Sequence, residues 1–232
     1  MLKKRICSAS SEAMEMGKDV VIAIVGGTGN LGRAVALRLA APGIKVIIGS
    51  RDREKARRVV ESLKKALGEG SIDGNSNQEA VEKAEVVLIA VPYEGHAKMV
   101  TELRDQIAGK VVIDAVVPLI KGRPFIPPAG SALLEAQEIL GPETPVVGAL
   151  HNISAVDLQE PDASLGDVLV CGNSNSAKQR VMEVIQRLGV RALDAGPAGN
   201  AYIIEGLTGL LIQLNRKYKS KHASIKVTGI GE

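Results

Sequence analysis

Six apolar residues, VVIAIV (20–25), run into the glycine-rich GGTGNLG and then into an Ala-rich stretch that reads as a helix from Asn30 to Ala41. A strand that is apolar along its whole length is buried on both faces, which is the situation of a parallel strand between helical layers. The intervening Gly27-x-Gly29-x-x-Gly32 spacing arises by chance in a chain with 25 glycines. Between a buried strand and a helix it reads as a dinucleotide loop. Gly27 then permits the tight turn, Gly29 lets the backbone approach a pyrophosphate, and Gly32 allows close packing of helix on sheet. The helix start offers free N–H groups and a positive dipole end to phosphate. Thr28 and Asn30 add side-chain donors.

The rest of the first 150 residues repeats this alternation. KVIIG (45–49), EVVLIAV (85–91), KVVIDAVV (110–117) and TPVVGAL (144–150) read as strands. Helices are expected from Asp52 to about Leu67, from about Glu94 to Ile107, and over SALLEAQEIL, capped by Ser131 and stopped at Gly141-Pro142. Residues 68–77 are turn-rich with at most a short strand, and the Pro- and Gly-rich 118–130 reads as a loop. Strands alternating with helices predict an α/β fold, a Rossmann-type doubly wound parallel sheet. After His151 the pattern changes to strands DVLVCG (167–172) and VRALDAG (190–196) and helices over 176–188 and 198–217, with SIKVTGI closing the chain. In the last helix Ile203, Ile204, Leu207, Leu210, Leu211 and Leu214 form one wide apolar face. The expected organisation is a flexible arm at 1–19, a dinucleotide-binding domain at 20–150 and a smaller C-terminal α/β domain at 151–232.

Composition narrows the function. With 45% apolar and 24% charged residues the chain can bury an ordinary core. Aromatics are only 2%, which leaves little to stack on bases, and a net charge of +3 gives no reason for a polyanionic partner. No nucleic acid is expected, and no membrane, since no apolar run approaches ~18 residues. Cys7 reads as a free thiol in the arm and Cys171 as a small core residue, with no Cys/His spacing for a metal. The arm begins with a basic cluster but lacks the apolar core of a signal peptide, so a cytoplasmic location is expected. Met16 just ahead of the first strand is a possible alternative start.

The end of the second strand selects the nucleotide. A carboxylate there would bond the ribose 2′-hydroxyl of NAD and repel a 2′-phosphate. Here the strand runs into Gly49, Ser50 and Arg51, nineteen residues beyond Gly32. The planar guanidinium fork matches phosphate oxygens, Ser50 adds a hydroxyl, and Arg53 and Lys55 add positive charge. Asp52 is expected to turn toward its own helix as N-cap. The pocket reads as one for NADP.

Ligands in such a sheet lie beyond the carboxyl ends of the strands, which places Val91, Pro92 and Tyr93 against the cofactor's middle and Val116 on the nicotinamide side. His151, with Asn152 beside it, falls at the expected seam between domains. His96 reads equally as a surface residue or a site residue, and His222 as solvated within a basic tail. No Tyr-x-x-x-Lys pair and no phosphate loop of the G-x-x-x-x-G-K-[ST] type is present. No acid–base dyad is evident, as alcohol oxidation would want. Hydride transfer between two cofactor rings needs chiefly alignment and exclusion of water.

GGTGNLG, GSRDREKA, the VPY at 91–93, ALHNISA at 149–155, and LDAGP at 193–197 followed by the Glu205 helix together resemble the NADP-dependent oxidoreductases of coenzyme F420. The resemblance covers nearly all the chain beyond the arm. It implies direct hydride transfer between deazaflavin C5 and nicotinamide C4, with NADP and coenzyme F420 as small-molecule partners and a homodimer as the assembly. It implies that Thr28, Asn30, Leu31, Ser50, Arg51 and Lys55 hold NADP. Tyr93, Ala97, Val116 and Ala155 would flank it, and His151 and Ile153 would lie by the stacked rings. Gly206 and Gly209 suggest close approach of a ring or a partner backbone. RKYKSK (216–221), or Lys121 with Arg123, are candidates for the phosphate and oligoglutamate tail. Two other readings stay open: an NADPH-dependent reductase of an imine or keto acid, such as the pyrroline-5-carboxylate reductases that resemble the first half, and a non-catalytic NADP(H) sensor.

Overall fold

The computed structural model describes residues 20–40, 44–67, 71–160 and 163–230; the arm at 1–19, with Cys7, lies outside them. Strands β1 (Val21–Val25), β2 (Lys45–Ser50), β3 (Ile72–Ser76), β4 (Val86–Ile89), β5 (Val111–Asp114) and β8 (Val146–Gly148) pair in parallel in the order β3-β2-β1-β4-β5-β8. All six therefore present their carboxyl ends to one edge. Every side chain of β4 is buried, and only Val21 of β1 is partly open, as expected for strands covered on both faces. The covering helices are α1 (Asn30–Ala40), α2 (Arg53–Leu67), α3 (Asn77–Glu82), α4 (His96–Glu102), α5 (Arg104–Ile107) and α6 (Ala132–Leu140).

The sheet does not stop at Leu150. β9 (Val168–Gly172) pairs antiparallel with β8, and β10 (Ala192–Asp194) pairs parallel with β9, giving eight strands in one sheet. α7 (Asn175–Arg187) and α8 (Ala201–Lys217) follow β9 and β10. Several elements differ from the pattern expected. The turn-rich 68–77 supplies a full edge strand, and α3 follows it at once. A capping box starts α3: Ser76 Oγ accepts from Glu79 N, and the Glu79 carboxylate accepts from Ser76 N. The single helix expected over 94–107 is a 3-10 turn (Tyr93–Gly95) followed by α4 and α5, which break at Leu103. The loop at 118–130 contains a two-residue hairpin, β6 (Leu119–Ile120) with β7 (Arg123–Pro124). SIKVTGI runs alongside the sheet without joining its ladder. Asp167 N donates to the Ile225 carbonyl at 2.7 Å, and Val227 N to Asp167 Oδ2 at 2.6 Å. Cys171 is buried in β9, as its sequence context suggested.

Candidate active site

The glycine loop bridges β1 and α1. The left-handed backbone falls at Gly26 (φ +77°), one residue before the Gly27 expected to make the turn. Gly27 is fixed by space instead. A Cβ there would lie 2.8 Å from the Ile24 carbonyl oxygen, and one on Gly32 would lie 2.6 Å from Gly27 Cα. α1 can therefore start only because both positions lack side chains. Thr28 and Leu31 are half-buried, whereas Gly29 and Asn30 face solvent at the helix start. The loop backs onto the end of β4, where a Cβ on Gly26 would meet the Ala90 carbonyl at 2.6 Å and Val91 Cγ1 at 2.7 Å.

At the end of β2, Ser50 is buried and its hydroxyl oxygen accepts from Asp52 N at 3.2 Å, which leaves its proton free to donate. Asp52 Oδ1 accepts from Lys55 N at 3.1 Å, the N-cap expected of it. Arg53 turns toward β3 and α3, with Nη2 3.3 Å from Asn75 Oδ1 and Nη1 3.3 Å from Glu79 Oε1. Arg51 and Lys55 are exposed and carry no ion pair among the described residues. Two cations thus stand uncommitted beside a free hydroxyl. Asn77 adds a group that sequence reasoning missed: its buried Oδ1 has no hydrogen-bond partner among the described residues, and a Cβ on Gly49 would lie 2.8 Å from it.

Beyond β4, Val91 and Ala97 are half-buried and Pro92 is exposed. Tyr93 packs edge-on against Phe125 with ring centroids 5.2 Å apart, and its hydroxyl donates to Glu135 Oε1 at 3.3 Å. Val116 is buried just past β5, its N–H donating to Asp114 Oδ1 at 2.9 Å. His96 is fully buried, not a surface residue. Its Nε2 lies 2.8 Å from Asp114 Oδ2 and its Nδ1 3.3 Å from Glu135 Oε2. Burial alone would lower its pKa, but the Asp114 carboxylate, with help from Glu135, more than reverses this and raises it.

Glu205, buried in α8, completes the cluster by accepting from Ala132 N at 3.1 Å and Leu133 N at 3.2 Å at the start of α6. Burial, reinforced by Asp114, pushes its carboxyl up to about 7 against the pull of the two N–H donors and His96. No short-range signal marks this cluster, because Ala132 and Glu205 are 73 residues apart and His96 and Glu135 are 39 apart.

His151 follows Leu150, which itself has a left-handed φ of +69°. The loop is fixed on several sides. Thr208 Oγ1 donates to the His151 carbonyl at 2.6 Å, and Asn152 Nδ2 to the Asp167 carbonyl at 2.6 Å. Arg38, from α1, donates to the carbonyls of Leu158 and Glu160 at 2.7 Å each. His151 is 4% exposed, and neither ring nitrogen has a hydrogen-bond partner among the described residues. Burial lowers its pKa to about 4, against the opposing pull of Asp114 and of the Val116 backbone, which lies near the ring but outside good hydrogen-bond geometry. Unpaired buried donors and acceptors are costly, about 1–3 kcal/mol each, and are few in native proteins, so each calls for a cause such as a catalytic role or a bound partner. Ile153 and Ala155, half-buried, pack on the core below this loop. The Asp194 carboxylate of LDAGP is held by Lys178 Nζ at 2.7 Å.

A cavity of about 210 Å³ opens beside the cluster, lined by Pro118, Pro124, Phe125, Ile126, Gly130, Tyr202, Glu205 and Gly206. Gly209 meets the chain's own hairpin, since a Cβ there would lie 2.4 Å from Pro124 Cδ, whereas one on Gly206 would meet nothing within 4 Å. The two candidate basic patches adjoin, with the Arg216 guanidinium packed on Gly122 of the hairpin. His222 bonds the buried Asp157 and is not merely solvated.

The family described as NADP oxidoreductase, coenzyme F420-dependent, matches residues 21–118. The F420-dependent NADP reductase of Methanocaldococcus jannaschii is 38% identical over 221 residues, covering 90% of this chain and 98% of that protein. The chain belongs to the F420-dependent NADP reductase family. A crystal structure of a candidate F420-dependent NADP reductase from Arthrobacter sp. FB24 superposes with a TM-score of 0.77 at 26% identity, over 90% of this chain and 99% of that one. The pyrroline carboxylate reductase of Plasmodium falciparum, at 15% identity and a TM-score of 0.56 over 87% of this chain and 68% of that one, shares the fold alone. The chain shares its mostly parallel, Rossmann-type sheet with that Arthrobacter structure. Among its described residues no helix is long and apolar enough to cross a membrane.

Proposed function

We propose that this protein transfers a hydride between reduced coenzyme F420 and NADP. The observation that carries the reading is the conjunction, in a member of this family, of an uncommitted Arg51–Lys55–Ser50 corner and the unpartnered His151 at the same edge of the sheet. The glycine loop from Gly27 to Gly32 would cradle the pyrophosphate on the α1 N-terminus, and Arg51, Lys55 and Ser50 would hold the 2′-phosphate. Val91, Pro92, Tyr93, Ala97 and Ala155 would line its path, with Val116 and His151 at the nicotinamide. His151, neutral through the physiological range, can exchange hydrogen bonds with ring substituents without adding charge. Ile153 would wall the ring stack against water.

The segment from residue 151 onward would complete the deazaflavin side, with Arg216, Lys121 and Arg123 meeting the anionic tail. The exposed Ile203 and Leu210 on α8 would contribute to the contact of a homodimer working in the cytoplasm, with Tyr202 left to the cavity wall.

The deciding experiment mixes the purified protein with reduced coenzyme F420 and NADP and follows deazaflavin absorbance, with NAD and FMN as controls. Reoxidation that requires NADP is the expected result. NADP binding without turnover would mean a different reductant or a sensor.

A further inference from the structure

Oxidising a reduced deazaflavin releases two things. The C5 hydride goes to the nicotinamide, and a proton must leave a ring nitrogen. In a cleft that excludes water, a side chain has to take that proton. The ionisable groups around the site differ in their fitness for this. His151 is neutral but too weak a base, held at about 4 by burial. His96 has both ring nitrogens engaged by carboxylates. The Tyr93 hydroxyl is raised above its ordinary value, chiefly by burial and then by Glu135 and Glu205, and already donates to Glu135. The Cys171 thiol is pushed up to about 12 by burial and lies in the core.

Glu205 differs from all of these in where it sits. Among the described residues it is the one carboxyl group lining the cavity, whose volume of about 210 Å³ accommodates one end of a ring system and not a whole cofactor. Next to it, Gly206 leaves the approach along α8 open, with nothing within 4 Å of an added Cβ. Its two oxygens are aimed by Ala132 N and Leu133 N at 3.1 and 3.2 Å, and each oxygen keeps a lone pair for a ligand proton.

We propose that Glu205 exchanges the proton of the hydride-transfer reaction, accepting the ring N–H proton of the reduced deazaflavin as the C5 hydride leaves, and returning it in the reverse direction. The inference rests on the F420–NADP reading given above. The C5–H bond breaks with its electron pair, which forms the C4–H bond of NADPH. The ring N–H bond breaks, its pair rejoins the ring conjugation, and an O–H bond forms on Glu205. The deazaflavin is oxidised by two electrons and NADP is reduced by two. Asp114 from β5, His96 from α4, Tyr93 and Glu135 around them, and Cys171 from β9 set the field in which Glu205 changes charge. With its carboxyl at about 7, it can be found in either state at neutral pH.

The test has two readouts. In the direction from reduced F420 to NADP, wild-type kcat should rise with one ionisation near neutrality. Glu205→Gln should abolish that ionisation and lower kcat roughly 100-fold, with the Kd for NADP unchanged. Infrared spectroscopy of the protein alone should show a carboxylic-acid C=O band that titrates near neutrality in the wild type and is missing in Glu205→Gln. If Glu205→Gln does not fold, Glu205→Asp serves, keeping the ionisation but lowering kcat. Wild-type turnover with a flat pH profile, or a Glu205→Gln enzyme at the wild-type rate, overturns the role of Glu205 alone. Absence of any wild-type turnover overturns the hydride-transfer reading itself, and the infrared titration still reports whether Glu205 ionises as described.

Discussion

His96 and Asp114 form an ion pair sealed from solvent, with Nε2 2.8 Å from Oδ2 and neither side chain exposed. The pair ties α4 to the end of β5, and through Asp114 Oδ1 it holds the backbone of Val116, which would face the nicotinamide. His96→Ala would leave Asp114 buried without its partner, a change that costs about 3–5 kcal/mol. The folded pKa of His96 is raised above its ordinary 6.5. Its contribution is therefore complete below that value and is lost as the pH climbs through the folded value. Urea unfolding at a series of pH values should show the gap between wild type and His96→Ala narrowing on the alkaline side.

Arg51→Glu should weaken NADP binding by roughly 10–100-fold, the loss of a charge-assisted contact of about 1.5–3 kcal/mol. Arg51 is exposed and outside every ion pair among the described residues, so the melting temperature should not move. Calorimetric titration with NADP and NAD checks this. Undiminished NADP affinity would remove this corner from the pocket.

Two glycines in α8 should respond oppositely to alanine. Gly206→Ala meets no atom within 4 Å and should gain up to about 1 kcal/mol of helix stability. Gly209→Ala drives a Cβ to 2.4 Å from Pro124 Cδ and should lose about 1–3 kcal/mol as the hairpin is pushed away. Thermal melts of the two variants decide it.

His151 should make the fold acid-sensitive. Its pKa is lowered from 6.5 to about 4, so between those values the unfolded chain binds a proton that the folded one refuses. Stability is then lost as pH falls through that window, by at most about 1.4 kcal/mol per pH unit. Glu205, raised from 4.5 to about 7, contributes the opposite slope over a similar range. The informative quantity is therefore the difference between wild type and His151→Gln, which should shrink steadily from pH ~6.5 toward pH ~4.5.

Much of this was readable from local pattern. Period, glycine spacing and strand-end chemistry located five of the six parallel strands, all but the edge strand β3, together with the α1 start, the Ser50–Arg51 corner and the His151 loop, since each depends on neighbours within a few residues. What escaped depends on distance. Asp114 reads as one polar residue in an apolar strand until the fold brings His96 beside it, and Glu205 reads as a helix-surface acid until the start of α6 lands on it. α3 escaped because its six residues lack an apolar period, and a capping box, not a hydrophobic face, starts it. The continuation of the sheet past Leu150 escaped because antiparallel pairing of β9 on β8 leaves no mark on either strand alone.

One contact joins the two ends of the candidate site mechanically. Arg38 projects from the last turn of α1 and grips the carbonyls of Leu158 and Glu160, while the first turn of the same helix would face the pyrophosphate. Eleven residues of helix make a strut about 16 Å long. A displacement of the glycine loop along that axis would be delivered at the far end to the chain that follows His151. The nucleotide end and the ring end would thus be braced against each other by this helix, in addition to the contacts of Thr208 and Asn152 that fix the His151 loop.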